Sequence, residues 1–206
     1  EKKAFLILYY KKLIHRLVER IKDSKYLNDI AICTTTHKLD NSIADFAKKN
    51  KIKVFRGSEN DVMSRFILAG KNLKADHVVR ITGDNPLTDP KIMDSLIKSH
   101  LKNNNEYTYS SSVPVGTSSE IIKLDTLIRC YKYLIDPNSS EYMTWMLNRP
   151  DVFKVEDVSF SGSLLKFNNI IFTVDEENEY LNLKKIYDNY KGNLPSLINI
   201  IDWIVK

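Results

Sequence analysis

Two carboxylates stand where apolar runs give way to polar turns. The first lies in His77 to Pro90, HVVRITGDNPLTDP, where a run with the look of a buried strand ends at Gly83-Asp84-Asn85-Pro86. The second lies in Ile170 to Glu179, IIFTVDEENE, where an apolar run ends at Asp175 ahead of an acidic helix start. In open parallel sheets, ligands bind just beyond the carboxyl ends of strands, so Asp84 would stand at an active edge. One or two carboxylates plus substrate phosphates are the usual surroundings of Mg²⁺, which offsets charge as a phosphoryl or nucleotidyl group moves. Each residue also has a plainer reading. Gly-Asp and Asn-Pro are common turn dipeptides. Asp175 could cap the next helix, with Glu176 and Glu177 favourable at its positive end.

Two more segments carry polar groups at strand ends. Ala31 to Asp40, AICTTTHKLD, ends a strand in threonines whose hydroxyls could meet a base or ribose, or cap the next helix. Phe55 to Arg65, FRGSENDVMSR, places Arg56 after a strand, either to contact phosphate or as a surface turn residue. Cys33, Cys130 and the four histidines are scattered, without the spacing of a zinc or redox motif. Both cysteines read as reduced core residues of a cytoplasmic protein.

The elements that must position these groups alternate between short β-branched runs and longer segments of helical period, the pattern of a mainly parallel α/β sheet. The strands are expected at Asp29–Thr34, Ile52–Phe55, His77–Thr82, Tyr107–Val113, Val152–Ser159 and Ile170–Val174. Leu13, Ile14, Leu17, Val18 and Ile21 form one helical stripe; Ile43, Phe46 and Ala47 begin another; Val62, Phe66, Ala69 and Leu73 form a third. Asp89-Pro90 starts a helix with proline at its first position. Later helices are expected at Leu124–Leu134, Ser140–Leu147, Glu177–Tyr190 and Ser196–Val205.

The 206 residues suit one domain, 1–206, with no repeat or linker dividing it. The net charge of +5 comes from 31 basic and 26 acidic residues spread along the chain, which speaks against a nucleic-acid-binding arm. The longest apolar runs, such as Ala4 to Tyr10, fall short of the roughly 20 residues of a membrane span, and no signal peptide precedes them.

In order along the chain, VFRGSENDVMSRF, VVRITGDNPLTDP, the divergent PVGTSSEII and SEYMTWML, and FTVDEENEY resemble the spore-coat-polysaccharide-type cytidylyltransferase family. That family is related to the acylneuraminate and ketodeoxyoctonate cytidylyltransferases. The resemblance implies a three-layer α/β sandwich of the nucleotide-diphospho-sugar-transferase, or glycosyltransferase-A-like, form. It also implies Mg²⁺-dependent transfer of CMP from CTP to a small sugar. By the same resemblance Asp84 and Asp175 are metal ligands, and Lys3 matches the last residue of a phosphate-gripping loop. Arg80, Asn85 and Glu120 line the sugar side, while Thr34, Thr35 and Arg56 sit near the nucleotide.

Departures from the family pattern are local. The rest of the phosphate loop and the strand before it have no match here, and that strand would lie centrally, leaving unpaired edges on its neighbours. Over Phe5 to Tyr10 the periodicity suggests a strand, whereas the family has a turn with glycine where Tyr9-Tyr10 stand. Ser118 replaces an aspartate of the sugar-side motif, and Ser140 and Tyr142 replace an arginine and a histidine. These departures keep two other readings open: a non-catalytic nucleotide-binding module, and a glycosyltransferase of related fold. Leu197, Ile198, Ile200, Ile201, Trp203 and Ile204 form an apolar face that closes the core or makes a homodimer contact.

Overall fold

The computed structural model describes residues 3–134 and 136–206. A 3-10 turn, Lys3–Phe5, leads into a hairpin of β1 (Ile7–Leu8) and β2 (Lys11–Lys12), then α1 (Leu13–Ile21). Next come β3 (Ala31–Thr35), α2 (Asn41–Lys49), β4 (Lys53–Gly57), α3 (Val62–Leu73) and β5 (His77–Arg80). They are followed by α4 (Pro90–Asn103), β6 (Tyr107–Tyr109), β7 (Glu120–Lys123) and α5 (Leu124–Lys132). A 3-10 segment, Pro137–Tyr142, precedes α6 (Met143–Leu147) and β8 (Val155–Asp157). The chain continues through α7 (Ser163–Lys166), α8 (Glu177–Asn189) and α9 (Leu197–Ile204).

The strands form an α/β architecture in pieces. β3 and β4 pair in parallel, and a separate four-stranded sheet runs in the order β5-β7-β6-β8. Within it β6 and β8 are parallel, while β7 is antiparallel to both β5 and β6. The sequence pattern did not mark β7, because EIIK is short and charged at both ends. Its apolar pair is nonetheless diagnostic once folded. Ile121 packs in one core cluster with α1, α4, α8 and α9, and Ile122 packs in another with α3, α5 and α6. Successive strand residues point to opposite faces, so a sheet with a core on each face makes three layers.

The expected segment Ile170–Val174 runs beside residues 113–117 but makes only an isolated parallel bridge, Val115 to Ile171. Ser140–Leu147 divides between the 3-10 segment and α6. In α9, Leu197, Ile200 and Ile201 are buried and close the core, whereas Ile198, Trp203 and Ile204 stay exposed.

Phe5 to Tyr10 reconciles its two readings. Ile7–Leu8 is a strand, and Tyr9 and Tyr10, with φ of 44° and 65°, form the turn of a two-residue hairpin. Both central positions of such a turn need positive φ, which costs a residue with a Cβ about 1–2 kcal/mol. The buried Arg16 guanidinium holds the turn in place, donating to the carbonyls of Leu8 (3.0 Å), Tyr9 and Gly192 (3.1 Å).

Beneath α4, His100 is fully buried, with its Nε2 3.0 Å from His77 Nδ1 and its Nδ1 2.9 Å from Thr108 Oγ1. Burial, reinforced by repulsion from His77 and Lys123 and only partly opposed by Glu156, lowers its pKa to about 4. The unfolded chain therefore binds more protons than the folded one between about pH 6.5 and 4, and stability falls as pH drops through that window. Urea midpoints measured across that range should decline, and His100→Gln should flatten the decline while costing stability at neutral pH. Separately, Tyr10→Gly should raise the urea midpoint by the equivalent of about 0.5–1 kcal/mol. The relieved φ strain outweighs the added entropy of the unfolded chain, and Tyr10 is 88% exposed, so little packing is lost.

Candidate active site

Asp84 follows β5 in a turn pinned from several sides. Asn85 Nδ2 donates to Thr82 Oγ1 (2.8 Å), and the buried Tyr187 hydroxyl donates to the Pro86 carbonyl (3.0 Å). Asp89 caps α4 by accepting from the Lys91 and Ile92 N–H groups, and Arg20 donates to both Asp89 (3.0 Å) and the Thr88 carbonyl (3.0 Å). Pro90 then occupies the first helical position, where its missing N–H costs nothing.

The Asp175 segment docks against this turn through its backbone. Phe172 N–H donates to Val115 C=O (2.8 Å), and Val174 N–H donates to Asp84 C=O (3.1 Å). The approach is close at Gly116, where φ is +85° and a Cβ would lie 2.7 Å from the Phe172 carbonyl carbon and the Thr173 nitrogen. Only glycine fits there.

Asp175 does not cap α8. The cap is Glu176, in a capping box with Glu179, whose Oε2 accepts from the Asp175 (2.5 Å) and Glu176 (2.9 Å) N–H groups. The Asp175 side chain therefore has no part in capping, is 58% exposed, and receives a 2.8 Å bond from Lys3 Nζ. That bond raises the Lys3 pKa, and the Asp84 and Glu179 carboxylates add to the effect through space. Lys3, Asp84, Asp175 and Glu179 thus share one electrostatic neighbourhood. The hairpin after Lys3 is tied to α8, since Tyr180 donates its hydroxyl to Ile7 C=O (2.9 Å).

Buried polar atoms are nearly always paired, so exceptions point to function. Among the described residues, five buried side-chain atoms lack a partner, and four lie at the carboxyl end of β5 or the adjoining start of β7: Arg80 Nε, Asp84 Oδ1, Asn85 Oδ1 and Ser119 Oγ. An unpaired carboxylate oxygen on a turn against which the Asp175 segment docks suits a hard divalent cation that takes oxygen ligands. Among the described residues no group of three His, Cys, Asp or Glu could form a cage of its own, so phosphate oxygens would have to complete the coordination.

Arg80 and Glu120 face each other across the β5–β7 ladder, joined at 2.6 Å with side chains 17% and 15% exposed. Glu120 also accepts from Tyr107 (2.7 Å) and Thr144 (2.7 Å). Tyr107 and Thr144 escaped the sequence reading; nothing in their local pattern distinguishes them, because only the β6–β7 pairing and α6 bring them to Glu120.

Thr34, Thr35 and Arg56 lie apart, at the ends of β3 and β4. The Thr34 and Thr35 hydroxyls both donate to Asp40 Oδ2, at 3.1 and 2.5 Å. Arg56 donates to the carbonyls of Thr35 (2.8 Å) and His37 (3.1 Å). These groups shape the loop 35–40, with Asp40 as its organising acid. Of the departures from the family pattern, buried Ser140 accepts from Met63 N–H (3.2 Å) and donates to Asp61 (3.2 Å), stitching the 3-10 segment to the start of α3. Tyr142 is exposed beside Trp145, with ring centroids 6.2 Å apart, and the Ser118 hydroxyl is spent on the Ser119 carbonyl (3.3 Å).

A family model described as cytidylyltransferase matches residues 1–145. An uncharacterized protein of Methanocaldococcus jannaschii is 35% identical over 204 residues, covering 97% of this chain and 84% of its own. The spore coat polysaccharide biosynthesis protein SpsF of Bacillus subtilis is 26% identical over 182 residues, covering 85% of this chain and 75% of its own. Among solved structures, a cytidylyltransferase from Leptospira borgpetersenii superposes with a TM-score of 0.89 at 27% identity, covering 98% of this chain and 87% of that one. The fold is therefore that of the nucleotide-diphospho-sugar transferases.

Gly116→Ala should lower stability by about 2 kcal/mol or more, since it adds both a backbone clash and a strained φ. Urea unfolding checks the loss. Hydrogen exchange should show residues 172–175 loosening before the β5–β7 ladder does.

Proposed function

Since the chain belongs to the cytidylyltransferase family, and so is a nucleotidyltransferase, we propose that it transfers CMP from CTP to a small sugar with the help of Mg²⁺. In this reading the product serves surface polysaccharide or glycoconjugate synthesis, as the name of the Bacillus relative suggests. The observation that carries the reading is the docking of the Asp175 segment on the Asp84 turn, with Asp84 Oδ1 unpaired and Asp175 not engaged in capping. Asp84 and Asp175 would hold the metal, which when bound supplies charge neutralisation to the phosphate oxygens.

The sugar hydroxyl attacks the α-phosphorus as pyrophosphate departs in line, so positioning and electrostatics supply most of the rate and no covalent nucleophile is needed. In this reading Lys3, which pairs with Asp175 in the free protein, turns to a phosphate oxygen and keeps positive charge next to the site of transfer. Arg80 and Glu120 fix each other across the ladder and, with Asn85, form the sugar side. The loop shaped by Thr34, Thr35 and Arg56 is the nucleotide side, where backbone groups matter as much as the side chains that hold them. With Ser140 bonded to the start of α3 and Tyr142 exposed, the sugar side departs from the family pattern, in keeping with either a different sugar or a loss of activity. A cytoplasmic location is in keeping with two free cysteines and with the absence, among the described residues, of any helix long and apolar enough to cross a membrane.

The test is pyrophosphate release from CTP and Mg²⁺ across a panel of acidic and neutral sugars. Asp84→Asn and Asp175→Asn should each lower kcat/KM by about 10²-fold or more while the protein stays folded. Unchanged turnover in Asp84→Asn would remove the metal role. Calorimetric CTP binding with no pyrophosphate from any sugar would favour a binding module, and release of a free nucleotide from a nucleotide sugar would favour a glycosyltransferase.

A further inference from the structure

The net positive charge is dispersed along the sequence, and the fold gathers it at one end. α1, α2 and α3 each lead through a connection into the next strand, β3, β4 and β5. Ala31 pairs with Lys53 at the amino ends of β3 and β4, and Lys22, Asn28, Asn50 and Lys51 from the first two connections line one polar cavity of about 250 Å³. The third connection joins them, since residues 26–30 and 73–77 line a common cavity. Asp84 and the candidate site lie beyond the opposite, carboxyl end of β5.

Residues 22–29, 48–53 and 71–76, which span these connections, carry eight lysines and three aspartates. That excess equals the net +5 of the whole chain, so the remaining residues are balanced. All eight lysines are exposed. Among the described residues only Lys53 makes an ion pair, with Asp29. Asp94 of α4 approaches the same end, bonded to Ser24 and to the Lys25 N–H, and the lysines remain in clear majority. A field of one sign on one face acts on what the protein meets rather than on its fold.

We propose that this lysine face docks on an anionic lipid bilayer. Ammonium groups on flexible stems are drawn to a negatively charged membrane surface without needing a fixed geometry, and each one near the surface adds to the attraction. A nucleic-acid surface would draw on arginine forks for phosphates and on several aromatic rings for bases. These segments hold no arginine and one aromatic residue, Tyr26. Tyr26 is exposed beside Lys25, and its apolar ring and polar hydroxyl suit the headgroup layer. Docked this way, the chain turns the carboxyl end of β5 away from the bilayer, so Asp84 and Asp175 stay open to solution. The inference holds whether or not the chain uses CTP.

The experiment sediments the chain with phosphatidylcholine vesicles and with vesicles containing about one-third phosphatidylglycerol. The anionic vesicles should carry down about tenfold or more protein at low ionic strength, and the difference should shrink as salt is added. Lys25→Glu combined with Lys51→Glu should abolish the difference. Lys12→Glu combined with Lys132→Glu, at the start of α1 and the end of α5, changes net charge equally and should largely keep it. Hydrogen exchange of the unsubstituted chain should slow on anionic vesicles within residues 22–29, 48–53 and 71–76, a result that decides the matter even if a variant unfolds. Equal sedimentation with both vesicles, equal loss in both double variants, or protection confined to other segments overturns the proposal. Tighter binding to a DNA duplex than to the anionic vesicles, lost in the Lys25/Lys51 variant, would assign the face to nucleic acid and overturn it too.

Discussion

The hydrogen bond from Val174 N–H to Asp84 C=O is the contact on which the candidate site depends. It joins two turns far apart in the chain and leaves their side chains unspent, because main-chain atoms make the contact. Its geometry is guarded on both sides. Gly116 lets the 172–174 backbone approach closer than any Cβ would allow, and Tyr187, Arg20 and Asp89 hold the Asp84 turn from beneath. Rigid main-chain docking is an effective way to set two like charges near each other. Lys3 supplies a positive charge that both carboxylates feel.

Lys3 shows how the site is connected to the rest of the fold. Its ammonium is half-exposed, so its bond to Asp175 is worth little as stability. Its importance is positional. The hairpin that follows is strained at Tyr9 and Tyr10, and it persists because Arg16 and Tyr180 bind three of its carbonyls to α1 and α8. Strain held by surrounding structure is common near functional sites. Here the strained hairpin follows Lys3 directly, and the Lys3 ammonium meets Asp175 just ahead of α8.

The Arg80–Glu120 pair makes a different contribution. Being largely buried, it gains little net stability over an apolar pair, but loss of either partner would strand a charge. Tyr107 and Thr144 complete the bonding of Glu120, so its orientation is set by strand pairing and by α6 together. The loop 35–40 follows the same principle at the ends of β3 and β4. Asp40 gathers the threonine hydroxyls, and Arg56 gathers the carbonyls. On each side of the candidate site a buried or half-buried carboxylate gathers hydroxyl groups, Tyr107 and Thr144 at Glu120 and Thr34 and Thr35 at Asp40.

The sequence by itself determined the elements whose period is strong and local. The apolar stripe of α1, the proline start of α4 and the acidic start of α8 all folded within a residue or two of expectation, because burial agrees with the period in α1 and capping with the sequence signal in α4 and α8. It also marked Asp84 and Asp175 as residues with chemical potential, without separating that reading from a turn former or a helix cap. Tertiary structure decided the rest. That Glu176 rather than Asp175 caps α8 depends on Glu179 folding back. That EIIK becomes a strand while Ile170–Val174 makes only a bridge depends on which neighbours offer a free edge, since strand pairing is a long-range contact that local composition does not encode. The proximity of the two aspartates belongs to the same class, because it is created by one backbone bond between distant segments.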